Sequence, residues 1–206
     1  LKSAIAGSHA RIESLPLTTA MIGGQLGREA YLGLLAELES VHEPLEAELA
    51  RHAGRVPIYR PDMARTEVLR RDRLALGGAG QLGAPASDPL AETRELIDRI
   101  REWANSDAVL LLGVLYVFEG SRMGSLVLAK RLATSLGVPS EPGVGLDYHL
   151  DGAADRPRAW GRMKGALDAL PLAPEQQDAV VAAATETMDR LCAIYAALPA
   201  AEPVPA

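Results

Sequence analysis

The feature that most constrains the fold of this chain is the helical spacing of apolar side chains along residues 28–52. Positions three and four residues apart carry Tyr31, Leu34, Leu35, Leu38, Val41, Leu45 and Leu49. This spacing places them on one face of an α-helix, which we expect Pro44 to kink. Because no segment alternates convincingly between apolar and polar residues with a period of two, the sequence predicts an all-α, multi-helical protein.

Capping residues and apolar periodicity predict six further helices. Their expected ranges are 2–13, 61–76, 88–103, 106–136, 155–170 and 174–198. Asp88 and Ser106 are the expected N-caps of the third and fourth of these helices, and Gly137 and Pro139 are expected to end the fourth.

Glycine and proline mark the predicted interruptions between helices. Pro16 and the pair Gly23–Gly24 are expected to interrupt the chain after its first helix. Residues 77–87 are rich in Gly, Ala and Pro and are expected to form a loop, and residues 140–154 are expected to be irregular.

Length and charge exclude several classes of protein. The 206 residues suit one domain with a sizeable core, expected over residues 1–199 and followed by a disordered tail at 200–206. The net charge of −6 and the lack of a basic stripe argue against a general nucleic-acid binder. The longest apolar run, residues 108–118, is too short to span a bilayer, and the chain begins without a charged-then-apolar leader. Since the one cysteine, Cys192, cannot form an internal disulfide, we expect a cytoplasmic protein without a membrane partner.

A histidine and a glutamate on the first predicted helix form one candidate site. His9 and Glu13 are one helical turn apart, so their side chains lie on the same face and within reach of each other. A histidine that binds a metal needs one ring nitrogen free and the other donating to an acceptor, commonly a carboxylate. The alternative, more common for an isolated pair, is a partly buried histidine satisfied by its neighbour.

Two glycines lie within the long predicted helix 106–136. Gly120 and Gly124 are spaced so that both lie on one face, and each costs about 1 kcal/mol relative to alanine inside a helix. A helix face without side chains can bring its backbone close to a flat molecule. Close packing against another helix would explain the same pattern.

The predicted helix 28–52 contains the sequence Glu39-Ser-Val-His42, with Glu46 one turn after the histidine. A Glu-x-x-His motif is half of the ligand set of a carboxylate di-iron bundle. A second such motif is absent from the sequence, so a di-iron oxidase would need further inward-facing carboxylates. His52 and His149 lie near predicted loops without a partner at a useful spacing, and we expect both at the surface.

Several segments, in this order, resemble the haem oxygenases. Residues 8–13 (Ser-His-Ala-Arg-Ile-Glu) resemble the proximal helix of that family, and residues 41–49 (Val-His-Glu-Pro-Leu-Glu-Ala-Glu-Leu) resemble its second helix. Residues 116–128, which include Glu-Gly-Ser-Arg-Met-Gly-Ser, resemble the distal helix of the bacterial, biliverdin-producing branch, and residues 163–170 resemble the penultimate helix. The order and separation of these motifs identify the chain as a member of the haem oxygenase family.

The resemblance implies which residues hold the haem. His9 matches the ligand of the haem iron, and Glu13 matches the carboxylate that orients this histidine. Lys2 and Lys164 fall where the family places basic residues that meet the haem propionates, and Arg162 is a further candidate for that role.

The resemblance also implies the residues of the opposite, distal side. Gly120 and Gly124 match glycines whose backbone lies over the haem. Ser121 stands where mammalian-type enzymes have an aspartate, and Ser125 stands where a second consecutive glycine is found. His42 falls where some members carry a tyrosine of the distal water network.

The activity implied is the cleavage of haem, which is both cofactor and substrate, to biliverdin, CO and ferrous iron with O₂ and external electrons. The partners implied are a redox protein, such as a ferredoxin or a reductase, and a bacteriophytochrome as an acceptor of biliverdin. Two alternatives are a non-haem di-iron oxidase on a related helical fold and a haem carrier or sensor without turnover.

Overall fold

The structure, a computed structural model, describes residues 1–77 and 88–200 of the chain. Within these ranges it consists of helices without a strand, which confirms the predicted all-α fold. The α-helices are α1 (Ala6–Ser14), α2 (Pro16–Gly23), α3 (Arg28–Arg51), α4 (Thr66–Gly77), α5 (Ala91–Asp107), α6 (Leu111–Ser121), α7 (Ser125–Leu136), α8 (Asp147–Leu150), α9 (Arg156–Asp168) and α10 (Pro174–Ala197). Short 3₁₀ helices occur at Pro61–Met63, Ala108–Leu110 and Arg122–Gly124. Most of the predicted loop, residues 78–87, and the tail residues 201–206 lie outside the described residues.

The core lies between α3, α5, α6 and α10. Helix α10 packs against both α5 and α6, while α3 packs against α4 and α5. All seven apolar residues of the stripe predicted on α3 are buried, which confirms that prediction. The crossing of α6 and α10 depends on Gly113, because a methyl group there would lie 2.5 Å from the carbonyl oxygen of Val180.

The first part of the chain differs from the prediction. Helix α1 begins at Ala6, and the next stretch, expected to be interrupted, forms α2. Pro16 occupies the first turn of α2, where the missing amide hydrogen has no helical partner to lose. Gly24 ends α2 with a φ of 67°, a left-handed conformation that glycine adopts without strain.

The two predicted N-caps are wrong. Helix α5 begins at Ala91 after Leu90, whose backbone amide donates to the Glu37 carboxylate (3.1 Å), so Asp88 is not the cap. Asp107, and not Ser106, accepts the amide of Val109 (3.2 Å) at the start of the next helical segment. The Ser106 hydroxyl instead donates back to the carbonyl of Trp103. The amide of Leu90 donates to a carboxylate on another helix. The amide of Val109 donates to the carboxylate that lies one residue after the predicted cap.

The predicted helix 106–136 is divided. Helix α6 ends at Ser121, the 3₁₀ turn Arg122–Gly124 follows, and α7 runs from Ser125 to Leu136. We call the turn Arg122–Gly124 the helix break. The predicted C-terminus is confirmed, since Gly137 adopts a φ of 66° and its amide donates into the last turn of α7.

Helix α8 lies in the segment 140–154 that was expected to be irregular. Taken together with the 3₁₀ turns between them, α5, α6 and α7 form a helical run, Ala91–Leu136, that is long and apolar enough to cross a membrane by length and composition alone. In this fold, however, 61% of its most apolar window is buried, as in the core helix of a soluble protein.

Candidate functional site

His9 and Glu13 lie on the exposed face of α1. The Nδ1 atom of His9 is 3.5 Å from a carboxylate oxygen of Glu13, and the His9 side chain is 54% exposed. The opposite face of α1 is fixed to α10, because the buried Ser8 hydroxyl donates to Asp189 (2.6 Å) and Arg11 donates to the same carboxylate. Because α1 packs against α10 by one face, His9 and Glu13 remain exposed on the other.

An apolar surface lies at the helix break and the start of α7. Met123 is 41% exposed and Val127 is 61% exposed, although both are large apolar residues. A methyl group at Gly124 would meet no heavy atom of the described residues within 4 Å outside its own helix. An exposed apolar surface with an open backbone position is typical of a site that a ligand covers.

The two glycines differ in their surroundings. A methyl group at Gly120 would contact the ring of Trp160 at 3.4 Å, whereas the described residues leave the corresponding space at Gly124 open. Trp160 lies on α9, and its ring also packs against Tyr116 with 5.0 Å between ring centroids. Sequence reasoning did not identify Trp160, because a lone tryptophan on an amphipathic helix is ordinarily a core residue.

Helices α2 and α10 connect α1 to the segment that contains the helix break. Helix α10 packs against α1, α2 and α6, and α2 packs against α1 and α7. The helix that carries His9 and the helices that carry the glycines are therefore supported by the same two elements.

The predicted basic residues have different surroundings. Lys2 is exposed in the turn before α1. Lys164 is exposed on α9, with its Nζ atom 5.5 Å from the centroid of the Trp160 ring. Arg162, on the same helix, donates to the carboxylate of Asp155 (2.8 Å).

His42 is buried on the inner side of α3. Its Nδ1 atom is 3.4 Å from Glu46, its Nε2 atom is 3.5 Å from the Tyr148 hydroxyl, and its ring packs against Phe118 of α6. Burial alone would raise the pKa of Glu46, but hydrogen bonds from His42, the amide of Arg65 and Thr66 hold this pKa below its usual value. Ser121, at the end of α6, is exposed, and its hydroxyl donates to the carbonyl of Phe118 (2.7 Å).

The expectation that His52 and His149 are surface residues without partners is wrong. His149 is only 5% exposed, and its ring lies between those of Tyr31 and Tyr148. Burial lowers the pKa of His149 to about 4, and the charge of Arg156 acts in the same direction. His52 is partly buried, with its Nε2 atom 3.7 Å from Glu48.

The residues of the di-iron alternative are paired with other side chains. The carboxylate of Glu39 accepts hydrogen bonds from Arg70 (3.0 Å) and Arg73 (2.5 Å), and His42 is paired with Glu46. Among the described residues, no group of three or more His, Cys, Asp and Glu side chains is arranged to hold a metal ion.

Three buried arginines lie in the helix break (Arg122) or behind it (Arg65 and Arg156), and they were not identified from the sequence. Arginine is mostly exposed in folded proteins, so nothing in the sequence indicates this burial. Glu119 and Asp151 are the carboxylates that pair with Arg122 and Arg65, respectively.

Comparison with known proteins gives consistent results. The family model described as "Heme oxygenase" matches residues 1–195. The chain is similar to the "Heme oxygenase" of Porphyra purpurea, with 27% identity over 188 residues that cover 89% of this chain and 78% of that protein. "Heme oxygenase 1" of Rattus norvegicus is 26% identical over 180 residues, which cover 85% of this chain and 62% of that protein.

Solved structures share the fold. The structure of haem oxygenase from Leptospira interrogans matches with a TM-score of 0.87 and 24% identity, covering 96% of this chain and 97% of that chain. The haem oxygenase-2 of Synechocystis sp., determined in complex with haem and NO, matches with a TM-score of 0.85 and 23% identity, covering 94% of this chain and 81% of that chain.

Proposed function

The chain belongs to the haem oxygenase family and acts as a haem oxygenase, and from this premise we propose that His9 is the ligand of the haem iron. The observation that carries this proposal is the exposed His9–Glu13 pair on α1. Since Nδ1 of His9 faces Glu13, it can donate its proton to that carboxylate and leave Nε2 free for the iron.

The residues around the candidate site fit a haem. An exposed histidine with a carboxylate partner is a suitable donor for iron, and the apolar surface of Met123 and Val127 suits a flat, largely apolar macrocycle. Gly124 leaves open space on the same segment. When bound, haem supplies the iron that activates O₂ and the macrocycle that is opened to biliverdin, CO and ferrous iron.

The basic residues of α9 and of the N-terminal turn bind the propionates in this proposal. Lys2 and Lys164 are exposed and can turn toward carboxylates, whereas Arg162 would have to leave Asp155. Each charge-assisted contact is worth about 1–2 kcal/mol where it is partly buried.

The distal residues shape the space for O₂. The backbone of Gly120 and Gly124 would face the haem, and Trp160 limits the space beside Gly120. The hydroxyl of Ser121 donates to the carbonyl of Phe118, and its exposed side chain would line the distal space. His42 is buried among Phe118, Tyr148 and Glu46, so it would act on the distal side through the groups it contacts.

The same proposal includes the partners and the compartment. The electrons come from a ferredoxin or a reductase, a bacteriophytochrome is the candidate acceptor of biliverdin, and the protein works in the cytoplasm. These assignments rest on the family resemblance and on the acidic composition with its single cysteine.

A turnover experiment tests the activity. Haemin is bound to the protein, and ascorbate is added under air with catalase present, so that free peroxide cannot degrade the haem. We expect the Soret band to disappear and biliverdin to form, with no loss of haem in a sample kept under nitrogen. A stable Soret band under air would indicate a carrier or sensor, and a failure to bind haemin would contradict the proposal altogether.

A further inference from the structure

We propose that Arg156, acting through Ser125, is a positioning residue that fixes the helix break and so sets where the backbone of Gly124 lies over the haem. The link to haem rests on the proposed function. The link between Arg156 and the helix break rests on the hydrogen bonds described below.

Arg156 binds the helix break directly. Its Nη1 atom donates to the carbonyl of Arg122 (2.9 Å) and to the hydroxyl of Ser125 (2.7 Å). The Ser125 hydroxyl in turn donates to the same Arg122 carbonyl (2.8 Å), with the carbonyl of His149 at 3.2 Å. One guanidinium thus holds the first carbonyl of the 3₁₀ turn and the residue that follows the turn.

The other side of the same guanidinium binds a different segment. Its Nη2 atom donates to the carbonyls of His149 (2.9 Å) and Asp151 (2.7 Å), at the end of α8. Arg156 is 6% exposed, so its four hydrogen bonds are made away from water. A lysine cannot reproduce this planar fork, because its ammonium group is a single donor centre.

Two further arginines bind the end of α8. Arg122 donates to the carbonyl of Asp151 (2.9 Å) and to the carboxylate of Glu119 (3.2 Å). Arg65 donates to the carboxylate of Asp151 (2.9 Å). The end of α8 is thus fixed to the helix break by Arg122 as well as by Arg156.

The arrangement fixes one face of the segment and leaves the other open. Ser125 is buried against Arg156, while a methyl group added at Gly124, the preceding residue, would meet open space within the described part of the chain. Gly124 has no side chain that could fix it. The hydrogen bonds of Arg156 on the buried side of the segment therefore set the position of its backbone. Burying an arginine costs free energy, and replacing such a group by apolar residues is often neutral or stabilising. Its presence is therefore better explained by positioning than by stability.

The test compares Arg156→Gln, Arg156→Lys and Ser125→Ala with Arg158→Gln, an exposed arginine on the same helix. The first readout is amide hydrogen exchange in the haem-free protein. We expect exchange at residues 122–126 to accelerate at least about tenfold in Arg156→Gln and less in Ser125→Ala, with α10 unchanged. Arg156→Lys should resemble Arg156→Gln, because the fork is lost in both.

The second readout is the ratio of biliverdin isomers formed by the haem complexes. A displaced Gly124 backbone should change this ratio in Arg156→Gln and Ser125→Ala, whereas Arg158→Gln should match the unaltered protein. Unchanged local exchange would overturn the proposal, as would exchange that rises equally in α10, since the role would then be general stability. Ser125→Ala removes one hydroxyl and tests the idea even where Arg156→Gln fails to fold.

The two readouts distinguish a failure of this proposal from a failure of the proposed function. Absence of haem turnover in the unaltered protein would contradict the proposed function, whereas the exchange result in the haem-free protein does not depend on turnover. Altered exchange together with an unchanged isomer ratio would overturn the positioning of Gly124 over haem.

Discussion

Two glycines of the same helical run, Gly113 and Gly124, show how the role of a residue depends on what surrounds it. A methyl group at Gly113 would lie 2.5 Å from the carbonyl oxygen of Val180 and 2.8 Å from the amide nitrogen of Ala184. A methyl group at Gly124 would meet no heavy atom of the described residues within 4 Å outside its own helix. Gly113 is therefore required for the packing of α6 against α10, whereas the described residues give no packing reason for Gly124.

The contrast leads to a paired prediction. Gly113→Ala should destabilise the protein by at least about 1–3 kcal/mol, because the backbone of α10 has to move. Gly124→Ala should leave the melting temperature unchanged or slightly raised and should retain haem binding, while lowering biliverdin formation per bound haem. Thermal denaturation, haem titration and product analysis on the two variants check this. Normal turnover together with a large loss of stability in Gly124→Ala would contradict the active-site role.

At the scale of helices, the carboxylate of Glu46 links α3 to the start of α4. It accepts hydrogen bonds from the backbone amides of Arg65 (2.5 Å) and Thr66 (3.0 Å) and from the Thr66 hydroxyl (2.7 Å). These amides are at the N-terminus of a helix, where a negative charge is favoured. Glu46 therefore acts as a cap supplied by a different helix.

We predict that Glu46→Gln lowers the free energy of unfolding by about 1–2 kcal/mol at pH 7. The pKa of Glu46 is lowered in the folded protein, so its contribution is complete above the usual pKa of a glutamate and is lost as the pH falls through the folded value. The difference between Glu46→Gln and the unaltered protein should therefore shrink in acid. Denaturant unfolding at several pH values measures it, with Glu43→Gln, an exposed residue of the same helix, as the control. A difference that does not change with pH would contradict the assignment.

The sequence predicts helices well where burial is periodic and poorly where partners come from elsewhere in the fold. The apolar stripe of α3 is apparent from spacing alone, whereas the amide of Leu90 is bound by Glu37, a residue far away in the sequence. The helix break could not be predicted from the sequence either, because Arg156, which donates to its first carbonyl, lies on another helix. His9 and Glu13 could be paired from their spacing because both lie on one helix. Trp160 could not be assigned to the site, because its neighbour Gly120 is on another helix.

At the scale of the whole molecule, two buried ionisable groups make the stability depend on pH. Burial lowers the pKa of His149 to about 4, so the folded protein keeps this ring neutral. Asp72, which accepts the amides of Asp147 and Tyr148, has its pKa raised by burial to about 6. Because the pKa of His149 is lowered by folding, the protein loses stability as the pH falls from about 6.5 to about 4. Because the pKa of Asp72 is raised by folding, the protein loses stability as the pH rises toward 6.

We predict that His149→Phe makes the protein less sensitive to acid. Neither ring nitrogen of His149 has a hydrogen-bond partner among the described residues, and the phenyl ring can occupy the same place between Tyr31 and Tyr148. The free energy of unfolding should be unchanged or higher at pH 7, and the loss between about pH 6.5 and pH 4 should be smaller by up to about 3 kcal/mol. Urea unfolding of both proteins across this range checks it. Equal losses in the two proteins would show that other groups control the acid response.

The assignment of His9 as the iron ligand is central to the whole account, and the absorption spectrum of the haem complex tests it most directly. The unaltered protein should bind haemin at one-to-one stoichiometry with a sharp Soret band. His9→Ala should lose the histidine-ligated spectrum and regain it with added imidazole, while His52→Ala, which removes another histidine paired with a glutamate one turn away, should keep it. An unchanged spectrum in His9→Ala would show that another residue binds the iron and would contradict the account.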